Sequence, residues 1–283
     1  MKHLLSIEQL SGEEIVSLVD EAATLKMYRD TTPKLLHDQV WALIFTKSST
    51  RTRVSFEVGI RELGGSVMFL SGADIQLGRG EPIRDTARVL GRMIHGAVIR
   101  TFAQQDVDDF AELSGIPTIN ALTDEEHPCQ ILADLLTIRE HLGGWDGKRI
   151  CFLGDGDCNV ARSWIWAAAR LGFELVIGAP KEFQPAAEFM AKVNAPNVTV
   201  SDDPMATVKG MDVIYTDVWV SMGKEEEAGE RLELLKPWQI NDDLVAAANP
   251  GALVMHCLPA YRGKEITEKV MEAHAKVIFD EAE

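Results

Sequence analysis

Short apolar runs alternate along this chain with stretches whose apolar positions recur at helical spacing. The runs are "WALIF", "SVMFL", "GAVIRT", "PTINAL", "RICFLG", "ELVIGAP", "DVIYTDVW", "ALVMHCL" and "KVIFD". Several are apolar on both faces, as strands buried between two helical layers must be. An amphipathic helix is predicted over about residues 6–30. Further helices are predicted at "STRTRVSFEVGIRELGG", "PIRDTARVLGRMI", "DVDDFAELSG", "NVARSWIWAAARLG" and "PWQINDDLVAAA". This alternation predicts an α/β fold with two doubly wound parallel sheets. In "HPCQILADLLTIREHLGGWDGK", Pro128 suits a first helical turn and Gly143 with Gly144 ends the helix. The expected organisation is a first domain over 1–126, a linking helix over 127–143 and a second domain over 144–283.

Ligands of parallel sheets bind beyond the carboxyl ends of the strands, where loops lead into helices. The unusual polar clusters fall at that position: "TKSSTRTR", "RTF", "TDEEHPCQ", "GDGDCN", "DVWVSMG" and "HCLPAYRG". Solvated turns require only Gly, Asn, Asp and Pro. Six decorated loops at equivalent strand ends therefore predict an active-site cleft between the two domains.

In "SSTRT", backbone N–H groups at a helix start attract an anion, aided by the helix dipole. Ser49, Thr50 and Thr52 add hydroxyl donors, and Arg51 adds a planar fork suited to phosphate. A Ser/Thr helix cap with solvated arginines accounts for this stretch equally well when it is taken alone. Arg100 at a neighbouring strand end tips the reading toward a small phosphorylated ligand. The ATP-type "GxxxxGK[ST]" loop is absent from the chain. "GDGDCN" resembles a dinucleotide fingerprint, but Asn159 stands where its third glycine belongs, so a turn or a small polar ligand is the better reading.

The chain has 283 residues and a formal charge of −16, from 28 Lys and Arg against 44 Asp and Glu. That field repels nucleic acid and anionic membranes, so neither is an expected partner. It also makes the cations Lys47, Arg51 and Arg53 conspicuous. The opening "MKHLLSIEQLSGEE" does not read as a signal peptide, and no apolar stretch is long enough to span a membrane. Cys129, Cys151, Cys158 and Cys257 show neither CxxC pairing nor zinc-ligand spacing. The expectation is a reduced, cytoplasmic enzyme.

Taken together, "STRTR", "HPCQILADLLT", "DVWVSMG" and "HCLPAYRG", in that order, resemble the ornithine carbamoyltransferases. The first two occur across the wider aspartate/ornithine carbamoyltransferase superfamily, and the last two are specific to the ornithine branch. The resemblance implies transfer of a carbamoyl group from carbamoyl phosphate to the δ-amine of L-ornithine, giving L-citrulline and phosphate. It implies no metal, no organic cofactor and a homotrimer, within arginine biosynthesis or catabolism. By the same resemblance, Ser49, Thr50, Arg51 and Thr52 cradle the phosphate and Arg100 bridges phosphate and carbonyl oxygen. His127 donates to that oxygen, Gln130 holds the carbamoyl NH₂, and Gln76 reaches into a neighbouring subunit's site. Asn159, Asp217, Ser221 and Met222 bind the amino-acid end of ornithine, and Cys257 and Leu258 flank the attacking amine and the carbamoyl group.

These residue types suit the chemistry. Attack on the carbonyl builds negative charge on its oxygen, which fixed donors from Arg100, His127 and Thr52 stabilise. The nucleophile is an alkyl amine with a reference pKa of about 10.4, so it must lose a proton first. Asp217 with Cys257 is the candidate acceptor pair, and two roles for Cys257 stand open, base or selector of the neutral amine. Without the motif, Cys257 reads as a buried thiol, His127 as a helix neighbour and Met222 as a packing residue. His256 reads as structural, and Trp164 and Trp166 as core. The chain departs from the family at its end. "VIFDEAE" reads as a strand and stops where the family continues with Asn-Arg and a final helix on the first domain. Either a tail is omitted from this sequence or one contact is lost, and omission is the expectation, because a chain cut straight after a strand exposes apolar surface on the first domain. The competing functions are a carbamoyltransferase for putrescine or N-acylornithine, which "SMG" disfavours, and a non-catalytic small-molecule or dinucleotide binder.

Overall fold

The computed structural model describes residues 3–72, 80–220 and 228–283. Gln76, Ser221 and Met222 lie outside the described residues. The chain divides into two compact units, Met1–Cys129 and Gln130–Glu283, and no helix among the described residues is long and apolar enough to cross a membrane.

The first unit runs α1 (Gly12–Met27), β1 (Val40–Phe45), α2 (Thr50–Glu62), β2 (Ser66–Ser71), α3 (Ile83–Leu90), β3 (Gly96–Arg100), α4 (Gln104–Ser114) and β4 (Thr118–Leu122). A capping box starts α1. Ser11 Oγ accepts from the Glu14 N–H at 3.2 Å, and the Glu14 carboxylate accepts from the Ser11 N–H at 2.9 Å. The four strands are parallel in the order β2-β1-β3-β4. Side chains of β1 alternate between two apolar layers. Ala42 and Ile44 pack with Ala87, Val107 and Phe110 of α3 and α4, whereas Trp41, Leu43 and Phe45 pack with Ile60 of α2. That double burial is why "WALIF" is apolar throughout.

Helix α5 (Pro128–Leu142) follows, with Pro128 at its first position. The second unit continues with β5 (Arg149–Leu153), α6 (Asn159–Leu171), β6 (Glu174–Gly178), α7 (Ala187–Val193), β7 (Val198–Ser201), α8 (Pro204–Val208) and β8 (Val213–Thr216). It ends with α9 (Ala228–Leu235), α10 (Asp242–Ala247), β9 (Leu253–His256), α11 (Glu268–Ala273) and α12 (Ala275–Ala282). Its five parallel strands are ordered β7-β6-β5-β8-β9. One face buries Cys151, Leu153, Ile214 and Val254 against Leu235, Trp238, Leu244 and Ile278. On Tyr215, Phe152 stacks at 5.9 Å and Trp164 packs edge-on at 5.4 Å. Trp164 and Trp166 are core, as predicted.

Three elements differ from the sequence expectation. "KVIFD" is not a strand but the centre of α12, which buries Val277, Ile278 and Glu281 on one helical face. A short apolar run does not reveal its own period. "VTVS", with only Val198 buried, is the edge strand β7 and was too polar to stand out. "PWQINDDLVAAA" is interrupted: Ile240 bridges to Ile266, and α10 starts afresh from Asn241, whose Oδ1 accepts from the Leu244 N–H at 3.0 Å.

The junction of α3 with α4 generates a stability prediction. A Cβ built on Gly91 would stand 2.1 Å from the Ser114 carbonyl oxygen, a backbone atom at the end of α4. Gly91→Ala should lower stability by about 1–3 kcal/mol through overpacking. Urea unfolding checks this, and an unchanged midpoint would contradict the close approach of the two helices.

Candidate active site

Both sheets reverse their strand order internally, and the anion loop, Arg100, Asn159 and Asp217 lie at those reversals, whereas His127 follows β4 and Cys257 follows β9. In the first unit the reversal lies between β1 and β3, where Phe45 pairs with Arg100. The loop after β1 is tied to β3 by the Thr46 N–H donating to the Arg100 carbonyl at 2.9 Å. Ser49 then caps α2, its Oγ accepting from the Thr52 N–H at 3.3 Å and donating to Thr52 Oγ1 at 3.0 Å. Register alone therefore brings Ser49, Thr50, Arg51 and Thr52 to the rim that carries Arg100. Arg51 is exposed at the helix start, whereas Arg100 is buried. Arg53 is otherwise engaged, its guanidinium lying 3.7 Å from the Phe69 ring centroid.

The loop "TDEEH" reaches the same sheet edge and is held from several sides. Thr123 Oγ1 accepts from the Glu126 N–H at 3.1 Å and donates to Gln104 Oε1 at 2.9 Å. The Glu126 carboxylate accepts from the Ile7 and Glu8 N–H groups at 2.8 and 3.3 Å. The buried ammonium of Lys47 pairs with Asp124 and lies 4.5 Å from the Phe102 ring centroid. The anion loop and the His127 loop are thus joined by an ion pair that the sequence did not disclose. Burial, and then the positive charge of Arg100, pushes His127 down to about 3, so its imidazole is neutral at physiological pH. A neutral imidazole beside a guanidinium can donate one hydrogen bond without adding a second cation.

In the second unit the reversal lies between β5 and β8, and Thr216 Oγ1 spans it by donating to the Leu153 carbonyl at 2.7 Å. Asn159 is the first residue of α6, directly after this rim, and Asp217 directly follows β8. Asp217 Oδ1 accepts from the Val218 N–H at 2.6 Å and from the Cys257 thiol at 2.9 Å. Burial raises the Asp217 carboxyl, although these two bonds oppose the shift. Burial, together with the Asp217 charge, pushes the Cys257 thiol well above its ordinary range. Cys257 is therefore a proton-bearing thiol here.

The turn after Cys257 is held by His256. Leu258 sits at φ 54°, in the left-handed region that disfavours a branched side chain, and its N–H donates to His256 Nδ1 at 2.9 Å. That bond requires Nδ1 unprotonated, so Nε2 carries the hydrogen and donates to Glu265 Oε1 at 3.1 Å. Glu265 also accepts from the Tyr261 N–H. Asp217, His256 and Cys257 bring potential ligand atoms within 4.8 Å of one another. Both His256 nitrogens and the thiol hydrogen are engaged, however, so the cluster is arranged as a hydrogen-bonded unit.

"GDGDCN" is a packed turn. The space over Gly154 is filled by Trp219, whose Nε1 lies 3.2 Å from where a Cβ would stand, and a Cβ on Gly156 would meet Ile177 at 2.6 Å. Asp155 pairs, buried, with Arg231, whose Nε also donates to the Trp219 carbonyl at 3.0 Å. These glycines serve packing within the unit. Asp134, Glu281 and Tyr215 also went unremarked in the sequence, although the Gln130-x-x-x-Asp134 spacing on a helix is a signal that the two meet. Gln130 Nε2 donates to Asp134 Oδ1 at 2.9 Å and to Glu281 Oε1 at 3.2 Å.

Residues 2–140 match the family model described as aspartate/ornithine carbamoyltransferase, carbamoyl-P binding domain, and residues 146–283 match its Asp/Orn binding domain. The chain is 61% identical to an ornithine carbamoyltransferase of Akkermansia muciniphila, covering 100% of this chain and 94% of that protein. It is 48% identical to an ornithine carbamoyltransferase of Desulfotalea psychrophila, covering 99% and 94%. Among solved structures, the anabolic ornithine carbamoyltransferase of Campylobacter jejuni superposes with TM-score 0.93 at 42% identity, covering 100% of this chain and 94% of that one. The Pyrococcus furiosus ornithine carbamoyltransferase gives TM-score 0.93 at 41% identity, covering 99% and 92%.

The neutral His127 generates a pH prediction. Below the ordinary 6.5 the unfolded chain takes up a proton that the folded site refuses until about 3, so acid favours unfolding across that interval. His127→Gln should flatten the loss of stability between those limits, measured as the urea midpoint against pH. An acid limb as steep as that of the parent chain would contradict a neutral, buried imidazole.

Proposed function

The chain belongs to the aspartate/ornithine carbamoyltransferase family, and from that premise we propose that it transfers the carbamoyl group of carbamoyl phosphate to the δ-amine of L-ornithine, yielding L-citrulline and phosphate. The observation that carries this reading is the full-length likeness to proteins named ornithine carbamoyltransferase, with the anion loop, Arg100 and Asp217 at strand reversals and Cys257 at the end of β9, hydrogen-bonded to Asp217.

In this reading the phosphate is held by Ser49, Thr50, Arg51, Thr52 and the α2 N-terminus. Arg100 and neutral His127 donate to the carbonyl oxygen as charge builds on it. Gln130 receives the carbamoyl NH₂, and Cys257 and Leu258 border the carbonyl. Asn159, Asp217, Ser221 and Met222 take the amino-acid end of ornithine. The nitrogen of the deprotonated δ-amine bonds to the carbonyl carbon, the C–O bond to phosphate breaks, and the phosphate leaves into donors that already hold it. The protonation of Cys257 favours selection of the neutral amine over abstraction by a thiolate. The domain division at 1–126, 127–143 and 144–283, a cytoplasmic location and a place in arginine biosynthesis or catabolism belong to the same proposal. So does a homotrimer in which Gln76 reaches a neighbour's site.

Citrulline formation from carbamoyl phosphate and ornithine tests the activity, with putrescine and N-acetylornithine as competing amines. Preference for either competitor would replace ornithine in this reading. Arg100→Ala should lower kcat by about 10²–10³-fold, the usual cost of losing one oxyanion donor. Activity should rise toward alkaline pH as the amine deprotonates, because its reference pKa is about 10.4. Cys257→Ser, which keeps a donor to Asp217, should retain that alkaline rise; a flat profile in the variant would instead make the thiolate the base.

A further inference from the structure

Beneath the strand ends of the second unit lies a buried polar network that the chemistry above leaves unused. Asp134 of α5 and Glu281 of α12 are 0% and 2% exposed. Glu281 Oε1 accepts from the Tyr215 hydroxyl at 3.1 Å and from Gln130 Nε2 at 3.2 Å, and Oε2 accepts from the His256 N–H at 2.9 Å. Asp134 Oδ1 accepts from the same Gln130 Nε2 at 2.9 Å. Asp134 Oδ2 is buried and receives no hydrogen bond among the described residues.

An amide side chain has two chemically distinct ends that differ little in shape. Which end of Gln130 faces a substrate is decided by what holds the other. Here one amide nitrogen meets two carboxyl oxygens, and only the NH₂ end can donate to both. Two carboxylates in this position cannot both remain charged away from water. One proton shared between them, carried on Asp134 and directed to Glu281, gives Oδ2 a partner and leaves Glu281 as the charged acceptor. Burial and the neighbouring Glu281 both favour the protonated form of Asp134.

We propose that Asp134 and Glu281 are positioning residues for Gln130, gripping its NH₂ so that its carbonyl Oε1 is the end presented to the carbamoyl nitrogen. This rests on the reading that Gln130 receives the carbamoyl NH₂. It goes beyond that reading by assigning the orientation of the amide to a pair of buried acids on two other turns of chain. The same Glu281 fixes the backbone of His256, one residue before Cys257, so a single carboxylate registers the amide acceptor and the thiol together.

The test is a double-mutant cycle on the full chain. Asp134→Ala should raise KM for carbamoyl phosphate by about tenfold while KM for ornithine stays within about twofold, the scale of one lost orienting hydrogen bond. Asp134→Asn, which mimics the protonated acid by accepting from Gln130 and donating to Glu281, should recover to within about threefold of the parent. In a Gln130→Ala background, Asp134→Ala should add less than about twofold, because there is no amide left to orient. Should Asp134→Ala fail to fold, Glu281→Gln, which sets an NH₂ against either the Gln130 NH₂ or the His256 N–H, is read in the same cycle, with a KM rise for carbamoyl phosphate that shrinks in the Gln130→Ala background as the expected result.

Hydrogen exchange of isotopically labelled glutamine side chains gives a readout that does not depend on turnover. The Gln130 NH₂, assigned by its loss in Gln130→Ala, should exchange slowly in the parent and in Asp134→Asn and rapidly in Asp134→Ala. Full additivity with Gln130→Ala, or rapid Gln130 exchange in the parent, overturns the inference. A parent chain that forms no citrulline overturns the functional reading instead, and the exchange result then decides the amide orientation by itself.

Discussion

A parallel strand sandwiched between two helical layers has no place for a polar side chain except at its ends, and this constraint organises the molecule. β1 and β3 are buried along nearly their whole length, as are β5, β8 and β9. Backbone groups inside each sheet are satisfied by neighbouring strands, so the polar side chains of the sites collect where the ladders stop. Reversal of strand order leaves a gap between two outgoing loops, and the pairing register decides which loops share it. Phe45 opposite Arg100 puts the α2 N-terminus and a guanidinium at one gap, and Leu153 opposite Thr216 puts Asn159 and Asp217 at another.

The second unit departs from this rule in a controlled way. Tyr215, His256, Glu265, Asp134 and Glu281 are buried polar groups, which cost stability when they lack partners. Each has at least one partner, through Tyr215 to Glu281, His256 to Glu265, Glu281 to the His256 N–H, and Asp134 to Gln130. The return is precision in the turn after β9. A leucine at φ 54° persists only where surrounding bonds over-determine it, and the His256 Nδ1 acceptor with Glu265 behind it supplies that restraint.

The layered α/β class was legible because strands buried on both faces have a simple signature, a run with no polar gap. The loops that bear the chemistry were legible for the complementary reason, since Ser, Thr, Arg, His and Cys crowd where turn residues would suffice. What escaped notice had no local signature. "KVIFD" carries three consecutive apolar residues, Val277 to Phe279, whose helical period shows only when Glu281 is counted, and Glu281 is buried against Gln130, Tyr215 and His256, all distant in sequence. Lys47 reads in sequence as one of three conspicuous cations with Arg51 and Arg53, whereas its partner Asp124 lies on a loop that only folding brings near. "GDGDCN" forms a turn, as its glycines predict, but the packing of Trp219 over Gly154 has no signature in either segment alone.

The protonation of Cys257 bears on how an amine nucleophile is prepared on the proposed reading. A thiolate here would place a second negative charge against the Asp217 carboxylate in a site already short of water, and both burial and that charge oppose it. The thiol instead spends its hydrogen on Asp217, leaving a soft, uncharged sulfur beside the path of attack. Such a surface does not compete with solvent for the proton of an ammonium. On that reading it would favour entry of the amine already neutral, while Asp217 and its neighbours would hold the charged end of the amino acid. Binding would then do the work of deprotonation, and the cost of finding the neutral amine would fall on substrate capture, leaving the oxyanion donors Arg100 and His127 to lower the barrier to attack.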